Sequence, residues 1–285
     1  MNDIRLELGA SSYFSRPSNI LDPNLFEGEH LRPDVRDQIL RIFMDYMGTR
    51  YSEPQHWSMV WLAGSGISFQ WSADRGNGDL DVLFGIDYSR FVTANPDFMY
   101  FDRHEIAEFI TNDLRKNLWP VTAHTYIGFG EYELTFFLND NVEGHDSSIV
   151  HIHPYAAYNL NKDEWTVRPP YLPRDTSPES MYPADYYRQA EANKEAAEAL
   201  VTRYNAVRRE GQMLAPGSPH DVNNARHKAL VRSEAQTLFD ALHLGRKMAF
   251  SPDGEGYGDF YNFQWQHAKQ YGVVNALNEI INQEN

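Results

Sequence analysis

Two short motifs in this chain have the residue types that bind a metal ion and a phosphate group. Asp79 and Asp81 are separated by one residue in an apolar run, and Gly64-Ser65 precedes them with thirteen residues between. Side chains alternate along a strand, so the two carboxylates share one face and Leu80 points to the other, into a core. Two such close carboxylates repel each other unless a cation lies between them. Mg²⁺ fits best, because it prefers oxygen ligands and leaves positions open for phosphate oxygens.

The Gly64-Ser65 pair follows a short apolar run and has the properties of a phosphate contact. Gly64 has no side chain, so the backbone can approach a ligand closely. Ser65 offers a hydroxyl and a backbone N–H to a terminal phosphate. A helix beginning just after Ser65 would favour the anion further.

The elements around these motifs are predicted from hydrophobic periodicity and capping signals. Trp57–Ala63 is predicted as a buried strand that stops at Gly64, and Asp79–Tyr88 as a second apolar strand. Helical spacing predicts a helix over 35–47 with Asp34 as its N-cap. A capping-box start at Asp102 and Glu105 predicts a helix that Pro120 closes. Further β-rich runs are predicted at 121–129, 132–139, 149–160 and 165–167.

The character of the sequence changes after about residue 170. A proline-rich stretch over 170–183 is predicted to be a stiff linker. Helices are predicted beyond it at 184–210, 219–244 and 259–283, the second ending at Gly245. We therefore expect three parts: an N-terminal arm (1–33), a domain containing both motifs (34–170) and a C-terminal helical domain (184–285).

The order and spacing of these motifs resemble the nucleotidyltransferase signature of the polymerase-beta-like superfamily. The resemblance rests on an apolar strand, Gly64-Ser65, a spacer, and Asp79-Leu80-Asp81 in a second apolar strand. It covers roughly residues 35–140 by motifs and the rest only by architecture. It implies an α+β fold: a nucleotidyltransferase-type mixed sheet with flanking helices, followed by an all-helical domain.

The resemblance also implies roles for individual residues. Asp79 and Asp81 would bind two Mg²⁺ ions, and Gly64 and Ser65 would hold the β and γ phosphates of a nucleoside triphosphate such as ATP. A third carboxylate is expected on a later strand. Glu133 is favoured because an apolar run follows it, while Glu131 and His151 remain alternatives. Basic residues of the helical region would hold the triphosphate, and the matching pair one helical turn apart is Lys228 and Arg232.

The expected activity is transfer of a nucleoside monophosphate to an acceptor hydroxyl with release of pyrophosphate. One alternative is a non-catalytic nucleotide-binding or scaffold module of the same fold. Another is a metal-dependent hydrolase centred on His151 and His153, whose side chains would share a strand face. Tightly bound Zn²⁺ or Mn²⁺ would favour the hydrolase.

Composition narrows the partners and the expected compartment. The net charge of −15 disfavours a phosphate backbone, so a small-molecule or protein acceptor is preferred to an RNA 3′ end. The absence of cysteine excludes disulfides, thiolate metal sites and a cysteine nucleophile. The N-terminus has no signal-peptide pattern and no run is long enough for a membrane span, so we expect a cytoplasmic protein without membrane contact.

Overall fold

The computed structural model describes residues 3–9, 12–71, 78–143, 156–169, 182–251 and 253–283. The chain forms two compact units that interleave along the sequence. Residues Ser15–Asp175 form the first, called here the sheet unit. Met1–Phe14 and Thr176–Asn285 together form the second, the helical unit.

The sheet unit is built on a six-stranded mixed sheet, which confirms the mixed α+β class. The strands lie in the order β5-β6-β4-β3-β7-β8. Their bounds are β3 Ser58–Ala63, β4 Asp79–Ile86, β5 Thr125–Ile127, β6 Gly130–Glu143, β7 Ala157–Asn159 and β8 Glu164–Val167. A separate two-stranded sheet consists of β1 (Phe26–Glu27) and β2 (His30–Leu31).

Strand β4 lies in the middle of this sheet and has two kinds of neighbour. It pairs antiparallel with β3 and parallel with β6. A parallel pairing requires the chain to cross back before the second strand begins. The segment between β4 and β6 does this through α3 (Tyr88–Ala94), α4 (Arg103–Asp113) and the short strand β5.

Helix α1 (Pro33–Gly48) covers the face of the sheet that faces the main core. Its buried positions, Val35, Ile39, Phe43 and Met47, recur at helical spacing, which confirms the predicted helix. The predicted N-cap was wrong: Arg32 occupies that position and Asp34 lies in the first turn. Pro33 explains the earlier start, because proline is preorganised for the first helical turn.

The remaining helices of the sheet unit agree partly with expectation. The capping box of Asp102 and Glu105 is present at the start of α4. The predicted stop at Pro120 was wrong. The chain continues as a π-helical turn over Leu114–Leu118 and then as α5 (Trp119–Thr122). Proline is tolerated there because it lies in the first turn of α5, where its missing N–H has no helical partner.

One predicted strand is shorter than expected, another lies partly outside the described residues, and one short helix was missed. Of the run 121–129, only Thr125–Ile127 is a strand, because its first residues complete α5. In the described part of 149–160, the strand is Ala157–Asn159. Helix α2 (Pro54–Trp57) precedes β3, and its last residue belongs to the run predicted as a strand.

The helical unit contains four α-helices in the described residues. They are α6 (Ala184–Gly211), α7 (Pro219–Ala249), α8 (Phe260–Gln270) and α9 (Val273–Asn282). Helix α7 passes through Gly245 instead of ending there. A Cβ at Gly245 would lie 3.0 Å from the ring of Tyr261, so this glycine allows α7 to approach α8. The single helix predicted over 259–283 is divided at Gly272, which adopts a φ of +72°.

The N-terminal arm divides between the two units instead of forming one segment. Residues 15–33 belong to the sheet unit, while residues 3–9, called here the N-terminal strap, pack on the helical unit. The Asn205 side chain of α6 bonds to both backbone groups of Ile4. Its oxygen accepts from the Ile4 N–H at 3.0 Å, and its nitrogen donates to the Ile4 carbonyl at 2.8 Å. Gly9 N–H donates to the Gln270 carbonyl. These bonds hold the strap as an extended segment against α6 and the end of α8.

Most of the predicted proline-rich linker lies outside the described residues. Among the helices of the described ranges, none has the length and apolar character needed to cross a membrane.

Candidate functional site

The two sequence motifs meet where β3 ends and β4 begins. Ala63, the last residue of β3, pairs with Asp81, and the next residue, Gly64, has a φ of +91°. A Cβ at Gly64 would lie 2.7 Å from Oδ2 of Asp81. The backbone of the Gly64-Ser65 turn therefore lies against the Asp81 carboxylate, and any other residue at Gly64 would displace that group.

The turn after Gly64 is held against the start of β4. A Cβ at Gly66 would be 2.9 Å from the Leu80 side chain and 3.0 Å from the Asp79 carbonyl oxygen. The Ser68 hydroxyl donates to the Ser65 carbonyl at 2.9 Å, which closes the turn. The helix that follows is a single three-residue 3-10 turn, Ser65–Ile67. It is too short to provide the helix dipole that would favour an anion, so this turn offers a phosphate only its own N–H and hydroxyl groups.

The two aspartates alternate with core residues as the sequence predicts. Leu80 and Val82 are buried in the main core, at 1% and 0% exposure. Asp79 is exposed and Asp81 is half-buried on the opposite face. The Thr135 hydroxyl of β6 donates to Oδ1 of Asp81 at 3.3 Å. This contact orients the inner carboxylate while the outer one faces solvent.

The register between β4 and β6 separates the two glutamates considered for the third carboxylate. Glu133 pairs with Asp79, and Thr135 pairs with Asp81. Residues paired across neighbouring strands point to the same face. Glu133 therefore lies beside Asp79 on the same face of the sheet, and both residues are exposed.

Glu131 has a different set of neighbours. It pairs with Tyr126 of the edge strand β5, and its Oε1 lies 2.6 Å from Nδ1 of His124. Its carboxylate is therefore directed along the sheet edge toward β5. Of the two glutamates, Glu133 is the one in register with the aspartate pair.

The donor chemistry at this end of the sheet fits a hard cation such as Mg²⁺. Asp79, Asp81 and Glu133 offer carboxylate oxygens on one face, and Gly64 leaves the space beside Asp81 free of any side chain. In the described ranges, no three His, Cys, Asp or Glu side chains come close enough together to hold a metal ion. The fit therefore rests on the two aspartates, with Glu133 one strand away.

Lys228 and Arg232 belong to the helical unit and lie on α7. Arg232 donates to the Ile281 carbonyl at 3.0 Å and also to the Gln283 carbonyl. A cation at the last carbonyls of α9 stabilises the C-terminus of that helix. Burial lowers the pKa of Lys228, and the neighbouring Arg232 and Arg208 guanidinium groups lower it further. Arg232 thus has a structural role within its own unit, and Lys228 lies in a positive environment.

Two segments that matter to the sequence hypotheses lie outside the described residues. One is 144–155, which contains His151 and His153, and the other is 72–77, in the connection between the two motifs. The alternative third ligand His151 and the hydrolase hypothesis therefore stay predictions.

Thr135 is the site residue that the sequence predictions did not include. It follows Glu133 by two positions in the same strand, so strand alternation places it on the same face as Glu133, where it is half-buried. Its contact with Asp81 depends on the pairing of β4 with β6, which local sequence does not specify.

Comparison of the chain with protein-family models, curated proteins and solved structures finds no match.

Proposed function

We propose that this protein is a Mg²⁺-dependent nucleotidyltransferase that moves a nucleoside monophosphate from a nucleoside triphosphate to an acceptor hydroxyl. The observation that carries the proposal is the contact between the motifs, in which Gly64 lies directly against the Asp81 carboxylate. The turn brings Gly64, which has no side chain, next to the Asp81 carboxylate, and Ser65 follows it. A bound triphosphate needs both: N–H and hydroxyl donors for its oxygens, and carboxylates for its counterions.

Each residue has a role in this proposal. Asp79 and Asp81 would hold Mg²⁺, which when bound supplies positive charge to the phosphate oxygens and to the attacking hydroxyl. Gly64 and Ser65 would bind the β and γ phosphates. Thr135 keeps the Asp81 carboxylate oriented through its hydrogen bond. Glu133 would complete the site on the acceptor side, beside Asp79.

The reaction forms one bond and breaks one bond at the α-phosphorus. The acceptor oxygen bonds to this phosphorus, and the bond from the phosphorus to the bridging oxygen of the β-phosphate breaks, so pyrophosphate leaves. The hydroxyl proton passes to a carboxylate oxygen, which we assign to Glu133. Positioning and charge neutralisation contribute most of the rate enhancement in such transfers.

The negative charge of the sheet unit indicates which class of acceptor it would bind. Most of the chain's acidic excess lies in residues 15–175, and this field repels a polynucleotide. We therefore propose a small molecule or a protein hydroxyl as the acceptor in preference to an RNA 3′ end.

The first prediction tests the carboxylate pair. Purified protein is incubated with Mg²⁺, each α-labelled nucleoside triphosphate in turn, and fractionated cell lysate. We expect label to enter one lysate fraction, and Asp79→Asn and Asp81→Asn each to reduce this by more than about 100-fold, the scale of a lost essential carboxylate. Addition of EDTA should abolish labelling by the wild type.

The matched control is Glu164→Gln, which changes an exposed carboxylate on β8 of the same sheet. It should label like the wild type, and all variants should keep the wild-type melting temperature. Wild-type labelling by either aspartate variant would contradict the proposal. Binding of Mg²⁺-nucleotide without any transfer would instead support the non-catalytic module.

A further inference from the structure

A continuous apolar surface follows helix α3 in the sheet unit. Tyr100 is 87% exposed, and Met99, Phe101 and Phe109 are 58%, 46% and 52% exposed. The rings of Phe101 and Phe109 each lie 5.5 Å from the ring of Phe98, centroid to centroid. Met99 and Tyr100 lie between Phe98 and Phe101 in the chain, so the four exposed residues, called here the aromatic ridge, are grouped around Phe98. Contiguous apolar patches of this kind mark interaction sites more often than scattered exposed residues do.

The residues of the aromatic ridge are not needed to form the buried face of α4. Helix α4 buries Ile106, Ala107 and Ile110 against the sheet unit, so its apolar face is already covered. Phe109 is half-exposed and lies one helical turn after the exposed Glu105 on the surface of α4. The sequence therefore places a large aromatic side chain where helical amphipathicity calls for a polar one.

Buried rings and the capped start of α4 support the ridge. The ring of Phe98 packs 5.2 Å from Phe91 and 6.0 Å from Tyr51, both of which are buried. The capping box of Asp102 and Glu105 fixes the start of α4, with both hydrogen bonds formed. A preformed surface of this kind loses little conformational entropy when a partner binds.

The charges around the ridge define the chemistry of its partner. Asp97, Asp102, Glu105 and Glu108 are all exposed along its edges, and the guanidinium of Arg103 lies over the Tyr88 ring at 5.7 Å. An acidic edge repels nucleic-acid phosphates and anionic lipid headgroups alike. It attracts lysine and arginine side chains, which places the apolar side chains of a basic partner over the ridge.

The position of the ridge leaves the candidate site open. The ridge is anchored through Tyr51 to Trp57, whose ring lies 6.1 Å from that of Tyr51. Trp57 precedes Ser58, which pairs with Ile86 at the far end of β4 from Asp79. Seven residue steps along a strand span roughly 23 Å. A partner on the ridge would therefore not cover the aspartate pair.

We propose that the aromatic ridge docks a protein segment that carries apolar side chains flanked by lysine or arginine. The apolar side chains bury Tyr100 and Phe109, and the cations pair with the acidic edge. This is the common mode in which an amphipathic helix binds an apolar surface. The inference does not depend on the proposed transferase activity.

The probe for this proposal is a fluorescein-labelled synthetic helix of leucine and lysine in amphipathic spacing. Its binding is followed by fluorescence anisotropy at physiological salt. We expect saturable binding to the full chain, and at least ten-fold weaker binding to the Tyr100→Ser/Phe109→Ser variant. The control variant is Met213→Ser, which removes a side chain that is 85% exposed in the helical unit. It should bind like the wild type.

Three outcomes would overturn the proposal. They are absence of binding to the wild type, equal binding by the double variant, and equal binding of a leucine–glutamate helix. Sedimentation of the wild type and the double variant tests whether a second copy of this chain binds the ridge instead. Self-association that the double variant abolishes would assign the ridge to a second copy of this chain, which also contradicts the proposal. Both variants should still unfold cooperatively, and the double variant should lose little stability, because Tyr100 is exposed and Phe109 is half-exposed.

Discussion

Glu131 and Glu133 offer a matched test at the scale of single residues. They lie two positions apart in β6, but Glu133 is in register with Asp79 while Glu131 pairs with Tyr126. We expect Glu133→Gln to lower kcat by more than about 100-fold, as for loss of a metal ligand or general base. Mg²⁺-nucleotide affinity should change little, because the aspartates and the turn supply those contacts. Steady-state kinetics and equilibrium nucleotide binding measure the two effects separately.

Glu131→Gln is the control for this pair. It removes the contact with His124, but both side chains are largely exposed, and such pairs contribute less than about 1 kcal/mol. Activity and stability should stay close to the wild type. A greater loss of activity in Glu131→Gln than in Glu133→Gln would assign the third carboxylate to Glu131 and show that register does not decide it.

For single residues, the sequence predicted which face of the sheet a side chain points to, but not which residues of other strands lie beside it. Strand alternation placed Asp79 and Asp81 on one face and Leu80 on the other, and the burial of Leu80 confirms it. The same alternation allowed either Glu131 or Glu133. Only the pairing of β4 with β6 distinguishes them, because register is set by packing between segments far apart in the chain.

At the scale of elements, the helices and strands were largely predictable and their ends were not. Helix α1 and strands β3 and β4 follow from apolar spacing that their burial confirms. The predicted stops at Pro120 and Gly245 were wrong. Proline in a first turn removes no hydrogen bond. A glycine within a helix destabilises it by only about 1 kcal/mol, which close packing against Tyr261 offsets.

The turn between β3 and β4 gives a prediction at this scale. Gly64→Ala should reduce both nucleotide binding and activity, because the new Cβ would lie 2.7 Å from Oδ2 of Asp81 and displace it. The variant also loses about 1–3 kcal/mol of stability, because a φ of +91° with a ψ of −168° is a conformation that is essentially confined to glycine. Calorimetric titration with Mg²⁺-nucleotide and thermal unfolding measure the two losses.

Gly28→Ala separates strain from contact. Gly28 also has a positive φ, +65°, but a Cβ there would have nothing within 4 Å. It should lose stability through backbone strain alone and keep nucleotide affinity. If both variants bind nucleotide equally well, the Gly64 turn is structural and the phosphate site lies elsewhere.

At the scale of the whole molecule, the two ends of the chain fold together. The N-terminal strap packs on the helical unit, and Asp3 accepts from the buried Arg208 of α6 at 3.0 Å. Strap and helices approach closely at Gly272, where a Cβ would lie 2.1 Å from the Glu7 carbonyl oxygen. The helical unit therefore depends on residues that precede the whole sheet unit in the sequence.

A glycine pair tests this interleaving. Gly272→Ala should destabilise the helical unit by clearly more than Gly217→Ala, although the two glycines have similar φ values of +72° and +76°. Nothing lies within 4 Å of a Cβ at Gly217, so its substitution measures backbone strain alone. Hydrogen exchange of α6 and α8 should rise selectively in Gly272→Ala. Equal destabilisation by both variants would show that the strap contributes little.

Local patterns in the sequence determined where most helices and strands lie, that the character of the chain changes near residue 170, and that Asp79 and Asp81 share a face. These properties depend on residues one to four positions apart, which a linear sequence displays directly. Tertiary structure decided that β4 lies between β3 and β6, that Gly64 lies against Asp81, that Glu133 lies beside Asp79, and that the N-terminal strap joins the last helices. Each of these depends on packing between distant segments, because the same apolar strand or extended segment fits several neighbours until the whole core selects one.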